Sequence, residues 1–159
     1  MTRQIPLLFD YRDRVEGKGF SATVKSSGRI LAEEGDGEVW IYGVEPGALA
    51  ADGRDPKAAL EAFRHRFTNV LRDFATEADS FSEFENAVQG FFHAINVPNE
   101  RDWLRAVEAV RSGQLNIPKM RRERADAIRF VQVQEELTIE DQPFDFSIEG
   151  STIHSAVAA

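Results

Sequence analysis

The stretch Val39-Trp40-Ile41-Tyr42-Gly43-Val44-Glu45-Pro46-Gly47-Ala48-Leu49-Ala50-Ala51-Asp52-Gly53-Arg54-Asp55-Pro56-Lys57-Ala58-Ala59-Leu60-Glu61-Ala62-Phe63-Arg64-His65-Arg66-Phe67 decides the fold, because the spacing of its apolar residues changes partway along. Val39 to Val44 is a β-branched and aromatic run between Gly35-Asp36-Gly37 and Pro46-Gly47, the pattern of a strand bounded by turns. From Leu60 the period becomes 3.6, with Leu60, Phe63, Phe67, Val70, Leu71 and Phe74 forming one apolar stripe over roughly five turns. Asp55 and Pro56 start that helix: the carboxylate accepts from orphan amides, and proline at the first helical position forfeits no needed donor. A helix with one apolar stripe, following strands, buries the stripe on their sheet.

Upstream, Ile5, Leu7, Phe9 and Tyr11 alternate with Pro6, Leu8 and Asp10, and Phe20, Ala22 and Val24 alternate with Ser21, Thr23 and Lys25. Gly17-Lys18-Gly19 separates these runs, and Ser26-Ser27-Gly28 is expected to turn the second into a short run around Ile30-Leu31, giving an antiparallel meander of about four strands. Downstream, Ser82-x-x-Glu85 is a candidate capping box for a second helix striped by Phe84, Val88, Phe91 and Ile95 and ended by Val97-Pro98. Asn99 is the expected cap of a third, with Trp103, Leu104, Val107 and Val110 as its apolar side and Gly113 as its stop. Together they are expected to form a helical hairpin.

Ile128 to Gln134 reads as a strand from Arg129 on, in competition with a helix over Arg122 to Ile128. Phe144, Phe146 and Ile148 alternate with Asp145, Ser147 and Glu149 as a strand with one wet face would. The fold class is thus α+β: a β-meander covered by a long helix over 1–79, a helical hairpin over 80–118, and a basic cluster, strand and acidic tail over 119–159.

With 159 residues, 42% of them hydrophobic, the chain suffices for one ordinary core, and twelve Phe give that core its bulk. Cysteine is absent, which excludes disulfides, thiolate metal sites and cysteine nucleophiles. No apolar run approaches ~18 residues and the first six lack a signal-peptide character, so a soluble, cytoplasmic protein without membrane association is expected. The net charge of −8 is unevenly spread: residues 1–129 carry −2 and residues 130–159 carry −6 with no Lys or Arg. Lys119, Arg121, Arg122 and Arg124 form the candidate nucleic-acid contact, interrupted by Glu123 and Asp126 and opposed by the acids that follow. An acidic tail suits a basic protein partner.

Little else points to chemistry. His65 and His93 each lie about 160° from neighbouring stripe residues on a helical wheel and should be exposed, and His154 sits in the tail. No pair of histidines falls at i, i+4, so neither metal nor cofactor is expected. Gly35-Asp36-Gly37 reads as a hairpin turn rather than a phosphate loop, and the adjacent acids Glu33-Glu34 and Glu135-Glu136 carry no catalytic signal without a pocket. Trp40 and Trp103 are read as core residues ahead of a binding patch. In a helix-turn-helix reading of the second and third helices, Arg101, Arg105 and Arg111 are cancelled by Glu100, Asp102 and Glu108.

The strand, Pro46-Gly47 turn, Gly53-Arg54-Asp55 turn and Ala58-Ala59-Leu60 helix start resemble the central signature of HicB-like antitoxins over residues 39–67, and more loosely over 3–75. The resemblance implies a degenerate ribonuclease H-like domain without catalytic acids, the antitoxin half of a toxin–antitoxin pair. It implies masking of a small, basic, RNA-cleaving toxin, for which Phe144, Asp145, Phe146, Ile148 and Glu149 are the candidate partner-binding residues, as an added strand on the partner's sheet edge. Two other readings stay open: a structural or assembly protein forming a homodimer through its sheet edge, and an enzyme or ligand binder using exposed carboxylates with Trp40 or Trp103.

Overall fold

The computed structural model describes residues 2–117 and 129–136. In chain order the elements are β1 (Arg3–Gly17), β2 (Phe20–Gly35), β3 (Glu38–Glu45), β4 (Ala50–Gly53), α1 (Pro56–Glu77), α2 (Phe81–Phe92), α3 (Val97–Arg111) and β5 (Phe130–Glu136). The architecture is α+β, built on a curled antiparallel sheet of order β1-β2-β3-β4, with β5 added against β2. No helix among the described residues is long and apolar enough to cross a membrane.

β1 and β2 pair along their whole length, from Gly17 opposite Phe20 to Arg3 opposite Glu34. The expected turn at Ser26-Ser27-Gly28 is therefore corrected: these residues lie in mid-strand. On the second edge of β2, β5 pairs with Ser21 to Ser27 and β3 with Arg29 to Gly35. Gly28 sits where one partner hands over to the other, and a Cβ there would lie 2.2 Å from the backbone oxygen of Glu45. The glycine serves close backbone approach, and pairing on both edges overrides its breaker character. The true turn is Asp36-Gly37, with φ of 54° and 75°, the two positive values that a tight two-residue hairpin requires.

Alternation along the strands sends residues to two faces. On one, Ile5, Tyr11, Val24, Ile30, Ile41, Val131 and Val133 meet Phe63, Phe67 and Leu71 of α1 and Phe84, Val88 and Phe92 of α2. Tyr11 stacks edge-on against Phe67 at 4.5 Å, and its buried hydroxyl shares a 2.8 Å hydrogen bond with the Thr68 hydroxyl. Burial pushes the Tyr11 phenol up from its ordinary pKa. On the other face, Leu31 and Val44 meet Trp103 and Ala106 of α3, with Leu8, Tyr42 and Val107 around them.

α1 begins as the sequence indicates: the Asp55 carboxylate accepts from Ala58 N at 2.8 Å, with Pro56 in the first turn. The other two helix starts differ. Ser80, not Ser82, caps α2, and Glu83 takes the reciprocal bond from Asp79 N at 2.8 Å. Asn96, not Asn99, caps α3, and places Pro98 inside the first turn. The expected helical hairpin is also corrected, because α2 and α3 bury their apolar stripes in the two separate clusters, on opposite faces of the sheet. Ile95 and Leu104, read as stripe residues, are 43% and 53% exposed. β4, only four residues long, adds a strand beyond the expected meander. β5 agrees with the strand reading from Arg129 on, while the competing helix over 122–128 and the strand around Phe144, Phe146 and Ile148 lie outside the described residues.

Two glycine substitutions are expected to move stability in opposite directions in urea unfolding. Gly28→Ala drives a methyl group into the Glu45 carbonyl and costs about 1–3 kcal/mol. Gly90→Ala, on the exposed side of α2 with nothing within 4 Å of the added carbon, raises stability by about 0.4–1 kcal/mol.

Candidate functional site

The handover point on β2 organises a cluster of charges. Arg29 lies directly opposite Glu45, the last residue of β3, and its guanidinium donates to Glu45 Oε1 at 3.3 Å and to Glu100 Oε2 in the first turn of α3 at 2.7 Å. Both Arg29 and Glu45 are nearly buried, their side chains 12% and 8% exposed. His93, the residue that ends α2, places Nδ1 3.0 Å from Glu45 Oε2. An ionised carboxylate only accepts, so Nδ1 is the donor of that bond. The guanidinium also sits 5.3 Å from the centre of the Trp103 ring, whose indole N–H donates to Leu7 O at 3.2 Å. Arg129 approaches the same ring at 6.0 Å.

Backbone contacts hold this cluster in place. Gly47 N donates to Ala94 O and Asn96 N to Val44 O, while the Asn99 side chain donates to Gly43 O. The link between α2 and α3 thereby grips the Pro46-Gly47 turn, and a Cβ on Gly47 would lie 2.3 Å from Asn96 N. Each oxygen of Glu45 is engaged, one by Arg29 and one by His93. The arrangement is a clasp joining the sheet to both of its helical layers: Arg29 on β2 and Glu45 on β3 reach Glu100 on α3 and His93 at the end of α2.

The residues of the clasp are only partly legible in the sequence. His65 and His93 are both exposed, as expected, but His93 is also bound to Glu45, a contact across 48 positions that the helical wheel does not reveal. Trp103 is core, whereas Trp40 is 36% exposed, correcting its assignment to the interior. On α3, Arg105 and Arg111 are paired with Asp102 and Glu108 at 3.6 and 2.6 Å, the acids expected to offset their charge. Lys119, Arg121, Arg122 and Arg124, with Phe144, Asp145, Phe146, Ile148, Glu149 and His154, lie outside the described residues. Among the described residues, no group of three or more His, Asp or Glu is gathered to hold a metal ion.

Two surfaces remain. β1 is the terminal strand of the sheet, and among the described residues its outer edge pairs with no other strand. At the opposite end, the Glu38 pKa is raised because its protonated form can hydrogen-bond to the Asp52 carboxylate, with partial desolvation and the Asp52 charge adding to the shift.

Arg29→Met should lower unfolding stability by about 3 kcal/mol in urea titrations, since it leaves Glu45 and Glu100 together without their cation. Asp52→Asn should return Glu38 towards the ordinary glutamate range in a carboxyl NMR titration. The sign is fixed by the raised folded-state value: repulsion is present above that pKa and is relieved as the pH falls through it.

Compared with family models, curated proteins and solved structures, the chain gives no match to any of the three.

Proposed function

We propose that this chain is an antitoxin-like protein-binding module of HicB-like architecture, which neutralises a small basic toxin, RNA-cleaving by resemblance, by masking its surface. The observation that carries the reading is β1: a strand of 15 residues that, among the described residues, is paired along one edge only, on a chain of net charge −8. An open edge accepts a partner's strand through backbone hydrogen bonds, and the acidic excess selects a basic partner. The sequence of β3, Pro46-Gly47 turn, β4 and capped α1 supports the HicB-like reading, because it is the strand-turn-helix order on which the resemblance rests. The module acts by occlusion and has no catalytic role of its own.

A second reading draws on the same edge. Two copies pairing their β1 strands antiparallel about Tyr11 would set Asp10 opposite Arg12 twice, a self-complementary arrangement that favours a homodimer.

Co-expression with the product of the adjacent reading frame, which the first reading expects to be a small basic protein, tests it. Toxicity should be relieved, and the co-purified complex should weaken as salt is raised from 0.05 to 0.5 M, about the range over which screening takes hold. Absence of rescue together with absence of a complex sinks it. For the homodimer, Asp10→Arg should shift sedimentation from dimer to monomer.

A further inference from the structure

The outer face of the β2–β3–β4 end carries an aromatic platform with a defined electrostatic sign. Trp40 and Tyr42 are two apart on β3, so they share a face, and their rings stack with centroids 5.9 Å apart and planes 12° from parallel. Tyr42 leans on the Trp103 cluster beneath α3, which fixes the inner end of the stack, while Trp40 extends beyond the helix into solvent at 36% exposure. Cross-strand register places a carboxylate on each side of Trp40: Glu33 opposite it on β2 and Asp52 opposite it on β4. Glu38, two residues before Trp40, adds a third on the same face. Directly opposed residues in such pairs have Cβ atoms about 5 Å apart, so the acids border the indole.

These three carboxylates form no ion pair with any cation among the described residues. Glu33 takes a 3.2 Å hydrogen bond from the neutral Gln4 side chain, and Arg3 is occupied by Glu34 at 2.6 Å, a residue that alternation sends to the other face. The resulting negative field reaches its neighbours: the Tyr42 phenol is raised by desolvation and by Glu33 and Glu38, and the Glu38 carboxyl by Asp52. A flat π-face bounded by uncompensated carboxylates attracts a cation through both ring quadrupole and charge, and repels a phosphate.

We propose that Trp40, flanked by Glu33, Asp52 and Glu38, is the seat of an arginine or lysine side chain presented by a basic segment of a protein partner. The occupant is a protein, because an acidic face excludes nucleic acid and an open sheet surface suits an extended chain whose alternate side chains point one way. This site deepens the reading of the chain as a binder of a basic protein and rests on it for the identity of the partner.

The test uses the full chain and its two indole N–H resonances in nitrogen-labelled protein, assigned by Trp40→Phe. A short synthetic peptide alternating Arg and Thr should move the Trp40 signal saturably and leave that of Trp103, bonded to Leu7 O, in place. The same peptide with Glu for Arg should move neither. The double substitution Glu33→Gln and Asp52→Asn, checked for an unchanged melting transition, should weaken the arginine peptide about tenfold. A stationary Trp40 signal, equal response to the glutamate peptide, or undiminished affinity in the double variant would each overturn the site. So would movement of Trp40 with protein concentration alone, which would make a second copy the occupant. Capture of the co-expressed basic protein separates the two levels: undiminished capture by the double variant rejects this site and leaves the binding module standing. Peptide binding without any captured protein keeps the site and rejects the module.

Discussion

β2 is paired on both edges, and the rest of the molecule is arranged by that constraint. A strand of 16 residues has backbone donors and acceptors to satisfy on either side, and here β1 takes one edge entire while β5 and β3 divide the other. The division point cannot hold a side chain on Gly28, because the Glu45 carbonyl comes too close. Immediately beyond it, Arg29 emerges on the face that α3 covers, beside the end of β3 and the link between the helices. The charge clasp is therefore a consequence of strand handover: the location where two partner strands meet is also where two helical layers can reach one side chain.

What was legible in the residues was local chemistry. Asp55 and Pro56 define a helix start by themselves, and α1 begins there. Asp36-Gly37 defines a hairpin by itself, and the turn has the backbone angles it needs. The misplaced caps show where locality ends. Asn96 and Asn99 are both good caps by type, and the choice falls to Asn96 because its backbone N–H reaches Val44 O and its side chain reaches Gly47 O, contacts made across the sheet. Ser26-Ser27-Gly28 reads as a break for the same reason, since nothing nearby in the chain reveals that β5 will pair there.

The surface chemistry was less legible still. Glu45, Glu100 and His93 converge from three elements, with Arg29 separated from Glu100 by 71 positions. Trp40 and Trp103 are chemically identical and both follow apolar patterns, yet one is enclosed and one protrudes. The difference is set by how far α3 extends across β3, which depends on packing between Trp103, Ala106, Leu31 and Val44 rather than on any property of Trp40 itself. The acids around Trp40 are ordinary in the sequence, and acquire meaning only once the register sets Glu33 and Asp52 in one row with it.

The pairing of β5 with β2 also dictates an order of assembly. Thr23 and Glu136 are hydrogen-bonded neighbours separated by 113 positions, so a ribosome must deliver those intervening residues before that half of the sheet can close. Until then the first hairpin, already complete in its local contacts, stands with a seven-residue slot vacant beside Ser21 to Ser27. A bare slot of this kind invites the wrong strand as readily as the right one, which makes the nascent chain a natural client for whatever shields unfinished sheets during synthesis.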